Sequence, residues 1–372
     1  MDDEVRVTGG LDPAPYRQHA DDRNPRGRGH YFRHRRPPYG GERDRPATYA
    51  ALDLGTNNCR LLIARPSGDG FRVVDAFSRI IRLGEGVSAT GRLSEAAIAR
   101  AVTALGICRD KMRNRSVTRA RLIATEACRA AANGLEFLAI IRDQVGIELE
   151  IVDRETEADL AATGCTPLID PQARGVLLFD IGGGSSELVS HAQSEPVTRG
   201  PPKPIVQSWV SLPVGVVTLA ERHGGVRVDR ALFEVMVAEV AGHVAPFTAA
   251  HGGDLSGVHM LGTSGTVTNI AGIHLRLPRY DRRRVVGCWL SDTEVTGVID
   301  ELIAMSYEER VANACIGSER ADLVLAGCAI LEAIRRAFPV PRLRVADRGL
   351  REGILVKLMR EDGVWAHAAS PA

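Results

Sequence analysis

Leu178-Phe179-Asp180-Ile181-Gly182-Gly183-Gly184-Ser185-Ser186-Glu187 is the stretch whose reading decides the fold. An apolar strand ends in an Asp and breaks into a loop of glycines and hydroxyls. Such a loop turns successive backbone N–H groups toward one point, an arrangement that binds anions. Taken alone, a glycine after a strand reads as a tight turn. A second copy of the pattern, Ala51-Leu52-Asp53-Leu54-Gly55-Thr56-Asn57-Asn58, lies about one domain upstream. Two copies, each followed by a domain's worth of chain, imply two related lobes that grip phosphate between them.

The segments between the loops fit that plan. Strands are expected at 49–54, 59–65, 71–77 and 79–83, and Ser94 caps a helix with an apolar stripe through Ile98, Ala101, Leu105 and Met112. A strand at 119–124, a helix at 135–145, the strand 147–152 and a helix from Glu155 to Gly164 complete the first unit. The second unit opens with strands at 174–181, 185–190 and 206–212. Helices at 215–223 and 228–248 follow, then a strand at 257–261 that ends in a third Gly/hydroxyl loop, Gly262-Thr263-Ser264-Gly265. Helices at 266–275, 291–302 and 319–337, a strand at 343–346 and a helix at 349–361 finish the pattern. Each unit begins with a hairpin around an Asp-Gly loop, a weak internal repeat that implies an α/β fold of two mixed-sheet lobes.

Composition sets the outer limits. A chain of 372 residues, 44% hydrophobic and 25% charged, is that of a globular protein with room for two cores. The net charge of +1 gives no signal for nucleic acid as a specific partner. The only lysines, Lys111, Lys203 and Lys357, lie outside any P-loop pattern. The seven cysteines form no C-x-x-C pair and read as reduced thiols in a cytoplasmic protein. No apolar run of membrane-spanning length stands out, so no membrane partner is expected. Residues 1–46, rich in Arg, Asp, Pro and Gly, read as a disordered tail, and 363–372 as a flexible C-terminus.

The residues that could carry chemistry are those suited to holding phosphate. Gly55, Thr56 and Asn57 on one side, and Gly182, Gly183, Gly184, Ser185 and Ser186 on the other, form the expected cradle. Acids beside phosphate repel it unless a divalent cation intervenes. Asp53, Asp180 and Glu187 therefore read as holders of Mg²⁺, with Mn²⁺ the other candidate. The plainer alternatives are strand-end caps for the two Asp and an exposed strand position for Glu187.

These loops, together with Ala124-Thr125-Glu126-Ala127-Cys128-Arg129 and Gly349-Leu350-Arg351-Glu352-Gly353, resemble the exopolyphosphatase/guanosine pentaphosphate phosphatase (Ppx/GppA) family over residues 49–361. The resemblance implies two ribonuclease-H-like, actin-like ATPase lobes, 47–167 and 168–362, with a cleft between them. It is to the short two-domain form, without the C-terminal helical domain of the larger members. It makes Glu157 the catalytic carboxylate, although Asp159 stands where the family's Glu-Ala-Arg has arginine. It makes Arg129 a phosphate ligand, with an ion pair to Glu126 as the alternative. Gly262, Thr263, Ser264 and Gly265 become a distal-phosphate or nucleotide loop, with helix capping as the alternative. It further implies a homodimer and a substrate of inorganic polyphosphate or guanosine pentaphosphate. A non-catalytic polyphosphate or nucleotide sensor remains the alternative of another class.

Overall fold

The computed structural model describes residues 47–192, 197 and 199–366. The tail expected over 1–46 lies outside them. Of the end expected to be flexible, 363–366 are described. There Trp365 is buried and its Nε1–H donates to the Gly68 carbonyl at 3.1 Å.

The first sheet comprises β1 (Tyr49–Leu54), β2 (Asn58–Ser67), β3 (Gly70–Ile80), β4 (Arg119–Ala124) and β5 (Glu150–Ile151), in the order β3-β2-β1-β4-β5. The second comprises β6 (Gly175–Ile181), β7 (Ser186–Ala192), β8 (Val206–Leu212), β9 (Val258–Thr263), β10 (Trp289–Ser291) and β11 (Arg342–Ala346), in the order β8-β7-β6-β9-β11-β10. Both start with three antiparallel strands and then add a parallel one, β4 on β1 and β9 on β6. The weak repeat in the sequence is a repeat of topology. It also sets equivalent residues across from each other, since Asp53 pairs with Arg60 as Asp180 pairs with Glu187. The strands expected at 71–77 and 79–83 form the single strand β3, whose register with β2 shifts between Ile63 and Ala64.

Helices α1 (Glu95–Asn114) and α2 (Gly134–Val145) cover the outer face of the first sheet, burying Ala101, Leu105, Phe137 and Ile141. Ser94 caps α1 as expected, its side chain accepting from the Ala97 N–H at 3.2 Å. Helix α3 (Arg154–Cys165) starts at Asp153, whose carboxylate caps the Thr156 N–H. On the second sheet lie α4 (Val216–His223), α5 (Arg230–His251), α6 (Gly265–His274), α7 (Asp292–Ala304) and α8 (Val324–Ala337). By length and composition α5 alone among the described helices reaches what a membrane span needs. It instead packs Phe233, Met236, Val240 and Val244 into the core of the second sheet.

The last helix, α9 (Leu350–Glu361), departs from the expected division of the chain. It packs on β1, β2 and β4 of the first sheet, while α3, from the first half of the sequence, packs on β7 and β8 of the second. The two helices cross between the sheets in one apolar core containing Ala51, Ile123, Leu160, Leu178, Ile354 and Leu355. Their backbones touch at glycine. A Cβ at Gly164 would lie 2.0 Å from the Gly349 carbonyl oxygen, and one at Gly353 would lie 2.0 Å from that of Leu160. An ion pair between Lys357 and Asp159 joins the same two helices. The acid that replaces the family's arginine thus has a local partner.

Candidate active site

Between the sheets, at the ends of β1 and β6, lies a cavity of about 120 Å³. Gly55, Thr56 and Asn57 line it from the first lobe, and Gly182, Gly183, Gly184 and Ser185 from the second. Among the described residues, nothing accepts from the backbone N–H of Thr56, Asn57, Gly183 or Gly184. The corresponding carbonyls are largely occupied: that of Asn57 accepts from Ile81 and Arg82, and that of Thr56 from Gly84. Free donors facing a cavity while the acceptors turn away make an anion cradle. The two loops also touch. A Cβ on Gly183 would lie 2.8 Å from Thr56 Cβ, and one on Gly184 would lie 2.8 Å from Thr56 Oγ1. Contact between the lobes by itself calls for glycine at both positions. Above the cavity the lobes meet again where Arg82 pairs with Asp322 at 2.9 Å.

Asp53 and Asp180 face the cavity from the ends of their strands, and among the described residues neither carboxylate accepts a hydrogen bond. Burial raises both, Asp180 to about 6, with Arg60 opposing the rise in each case. Glu187 is raised to about 7 by burial and by Asp180, yet its Oε1 accepts from the hydroxyls of Ser185 and Ser211, both at 2.8 Å. Among the described residues no group of three or more His, Cys, Asp or Glu side chains converges as a metal site. Of the expected trio, Asp53 and Asp180 are free of hydrogen-bond partners among the described residues and Glu187 is not. Two carboxylates free of partners suit an ion that completes its shell with water and substrate phosphate, as Mg²⁺ does. Glu187 is tied to hydroxyls.

Glu157, on the first turn of α3, reaches the same cavity and is only 7% exposed. Burial pushes it up to about 9. Glu187 adds to the rise, Arg129 opposes it, and Asp53 adds a smaller part. Arg129 does not line the cavity. Its guanidinium holds Glu126 at 3.0 Å, Glu157 at 3.1 Å and the Val152 carbonyl at 2.6 Å. The pair with Glu126 is present, and the guanidinium is shared between that acid and Glu157. Replacing Arg129 by Met removes the one cation on Glu157 and so raises its pKa further. The ascending limb of the rate–pH profile should move to higher pH, with the neutral-pH rate falling about tenfold. A profile with an unmoved limb contradicts this role.

Other expected residues separate. Ser186 is fully buried and donates to the Val214 carbonyl at 2.8 Å, away from the cavity. In the third loop, a Cβ at Gly262 would strike the Phe179 ring at 2.5 Å, so that glycine serves packing. Thr263 donates to the Arg348 carbonyl at 2.6 Å. Ser264 caps α6 through Thr266 N–H at 3.2 Å, and with Gly265 it lines the cavity. The sequence reading missed Arg60, Arg320, Asn58 and Asn269 as lining residues. Among the described residues, Arg60 and Arg320 have no carboxylate within ion-pair distance, and the Oδ1 atoms of Asn57, Asn58 and Asn269 are buried without partners. The repeat could have found Arg60, since it follows Asp53 by the same seven residues that separate Glu187 from Asp180.

Two lobes with a glycine-loop cradle and a set of carboxylates between them make a cleft suited to phosphate. The chain belongs to the Ppx/GppA phosphatase family, whose sequence profile matches residues 62–362. It is 29% identical over 332 residues to exopolyphosphatase 2 of Mycobacterium tuberculosis strain H37Rv, spanning 83% of this chain and 98% of that protein. The crystal structure of the Aquifex aeolicus family member superposes with a TM-score of 0.70 at 27% identity, covering 87% of this chain and 99% of that one. An exopolyphosphatase from Cytophaga hutchinsonii shares the fold, with a TM-score of 0.75 at 23% identity over 85% and 98% of the two chains.

Proposed function

We propose that the protein is an exopolyphosphatase that removes terminal orthophosphate from inorganic polyphosphate, with Mg²⁺ as its cofactor. The observation that carries this reading is the pair of loops with free backbone N–H groups facing a cavity that also holds Glu157, Asp53 and Asp180. The Mycobacterium tuberculosis relative bears the name of the same activity. The cradle donors bind the oxygens of the terminal phosphate and fix it for in-line attack. Glu157 orients a water and takes its proton as the water oxygen bonds to the terminal phosphorus. The bridging P–O bond breaks, and the shortened chain leaves with the bonding electrons. Arg129 keeps Glu157 aimed and supports its ionised form. A divalent cation held by Asp53, Asp180 and the phosphate oxygens would neutralise charge on the transferred group. Arg60 and Arg320 add positive charge on opposite sides of the cleft.

Purified protein incubated with polyphosphate should release orthophosphate only when Mg²⁺ or Mn²⁺ is present. Undiminished release in excess chelator removes the cation from the proposal, and absence of release removes the activity. Parallel kcat/KM values on guanosine pentaphosphate decide between the two phosphoanhydride substrates, with polyphosphate expected to be preferred.

A further inference from the structure

Beyond Asp53 and Asp180 the active-site cavity opens into a second chamber of about 460 Å³, and Arg60 and Arg320 line both. Arg351 joins them on its wall, and among the described residues none of these three arginines has a carboxylate within ion-pair distance. The outer wall of the chamber includes Tyr280 and Arg282. The segment bearing them reads Arg276-Leu277-Pro278-Arg279-Tyr280-Asp281-Arg282-Arg283-Arg284. Some of its charges are committed within the fold: Arg276 pairs with Glu301, and Arg282 with Asp347 and Glu352. Tyr280 donates to Asp347 at 3.0 Å, which fixes the segment against the chamber. Arg279, Arg283 and Arg284 are exposed and have no acidic partner among the described residues.

We propose that Arg279, Arg283 and Arg284 form an outer track for the polyphosphate chain, engaged only by substrates long enough to emerge from the second chamber. The inference rests on the polyphosphate reading above and extends it to chain length. Three cations crowded on one short exposed segment repel one another. A polyanion leaving an arginine-lined chamber would meet them in sequence and relieve that repulsion. A substrate of a few phosphates ends inside and gains nothing from them. Each exposed contact is weak by itself, so the effect is a sum over the track and should fade with salt.

The test compares the full-length wild type with the triple variant Arg279→Ser/Arg283→Ser/Arg284→Ser. Initial rates are measured on tripolyphosphate and on long-chain polyphosphate at low and high salt. The variant should lose about tenfold in kcat/KM on the long chain at low salt, through KM, and stay within twofold on tripolyphosphate. Lysine at all three positions should restore most of the loss. Equal losses on both substrates, or none on either, overturn the track. Binding of long-chain polyphosphate is measured alongside, in a Glu157→Gln background where turnover does not interfere. If the wild type hydrolyses nothing, the exopolyphosphatase reading fails by itself. The track is then judged by binding alone: about tenfold weaker in the triple variant supports it, and unchanged binding rejects it.

Discussion

Glu157→Gln is expected to slow phosphate release by about 10²–10⁴-fold while leaving a protein that folds at least as well. Gln preserves the shape and can still hydrogen-bond, but it cannot take the proton of the attacking water. The cradle loops and the strand-end acids are untouched, so substrate binding should survive and the loss should fall on kcat. The stability half follows from the same environment. A carboxyl whose folded pKa is raised from about 4.5 to about 9 costs the fold nothing at acid pH. Its cost grows as pH rises through that window, because the unfolded chain ionises first. Gln carries no such cost. The midpoint of thermal unfolding of the variant should therefore match the wild type near pH 5 and exceed it by a margin that widens toward pH 9. Arg129 loses a partner in the variant but keeps Glu126. A variant that turns over at the wild-type rate, or that melts below the wild type at alkaline pH, would show that Glu157 has been misplaced in this account.

The second large effect concerns the crossing of α3 and α9. In an exposed helix, Gly→Ala gains about 1 kcal/mol of helix propensity. At Gly353 the added methyl would sit 2.0 Å from the Leu160 carbonyl oxygen, and the obstacle is backbone, which no rotamer change can move aside. Overpacking typically costs 1–3 kcal/mol and occasionally more. The clash should thus outweigh the propensity gain, with Gly353→Ala lowering the midpoint by about 5 °C. Gly353→Leu should leave no soluble folded protein. Activity of the Ala variant should fall as well, because Leu350 at the start of α9 lines the active-site cavity. A Gly353→Ala protein that melts with the wild type would mean the two helices stand further apart than described.

Much of this was legible in the sequence because it is local. Strand, Asp and glycine loop are neighbours along the chain, and both copies landed on one cavity with Asp53, Asp180 and Glu157. What failed to show was set by partners distant in sequence. The role of Arg129 depends on where α3 brings Glu157, 28 residues away. Ser186 looked like a cradle hydroxyl until Val214, from beyond β8, claimed it. Gly262 carries the same letters as a ligand loop, but the Phe179 ring beside it makes it a packing residue. Arg320 sits in a stretch with no motif at all, and it reaches the cavity only because the turn before α8 faces β3 and the cradle. The exchange of α3 and α9 between sheets was hidden for the same reason. An apolar helical stripe says that a surface must be covered, but not which surface.

That exchange has a bearing on how the chain is made. The apolar inner face of β1, β2 and β4 exists once roughly the first quarter of the described chain has been synthesised, but its cover, Leu350–Glu361, follows more than two hundred residues later. The first lobe cannot mature on its own as it emerges. It must wait, with a sticky surface uncovered, through some two hundred further residues of translation, which at typical rates lasts tens of seconds. Nascent chains of this protein should therefore call on chaperones until Leu350–Glu361 has emerged, and the core of the first sheet should close only then.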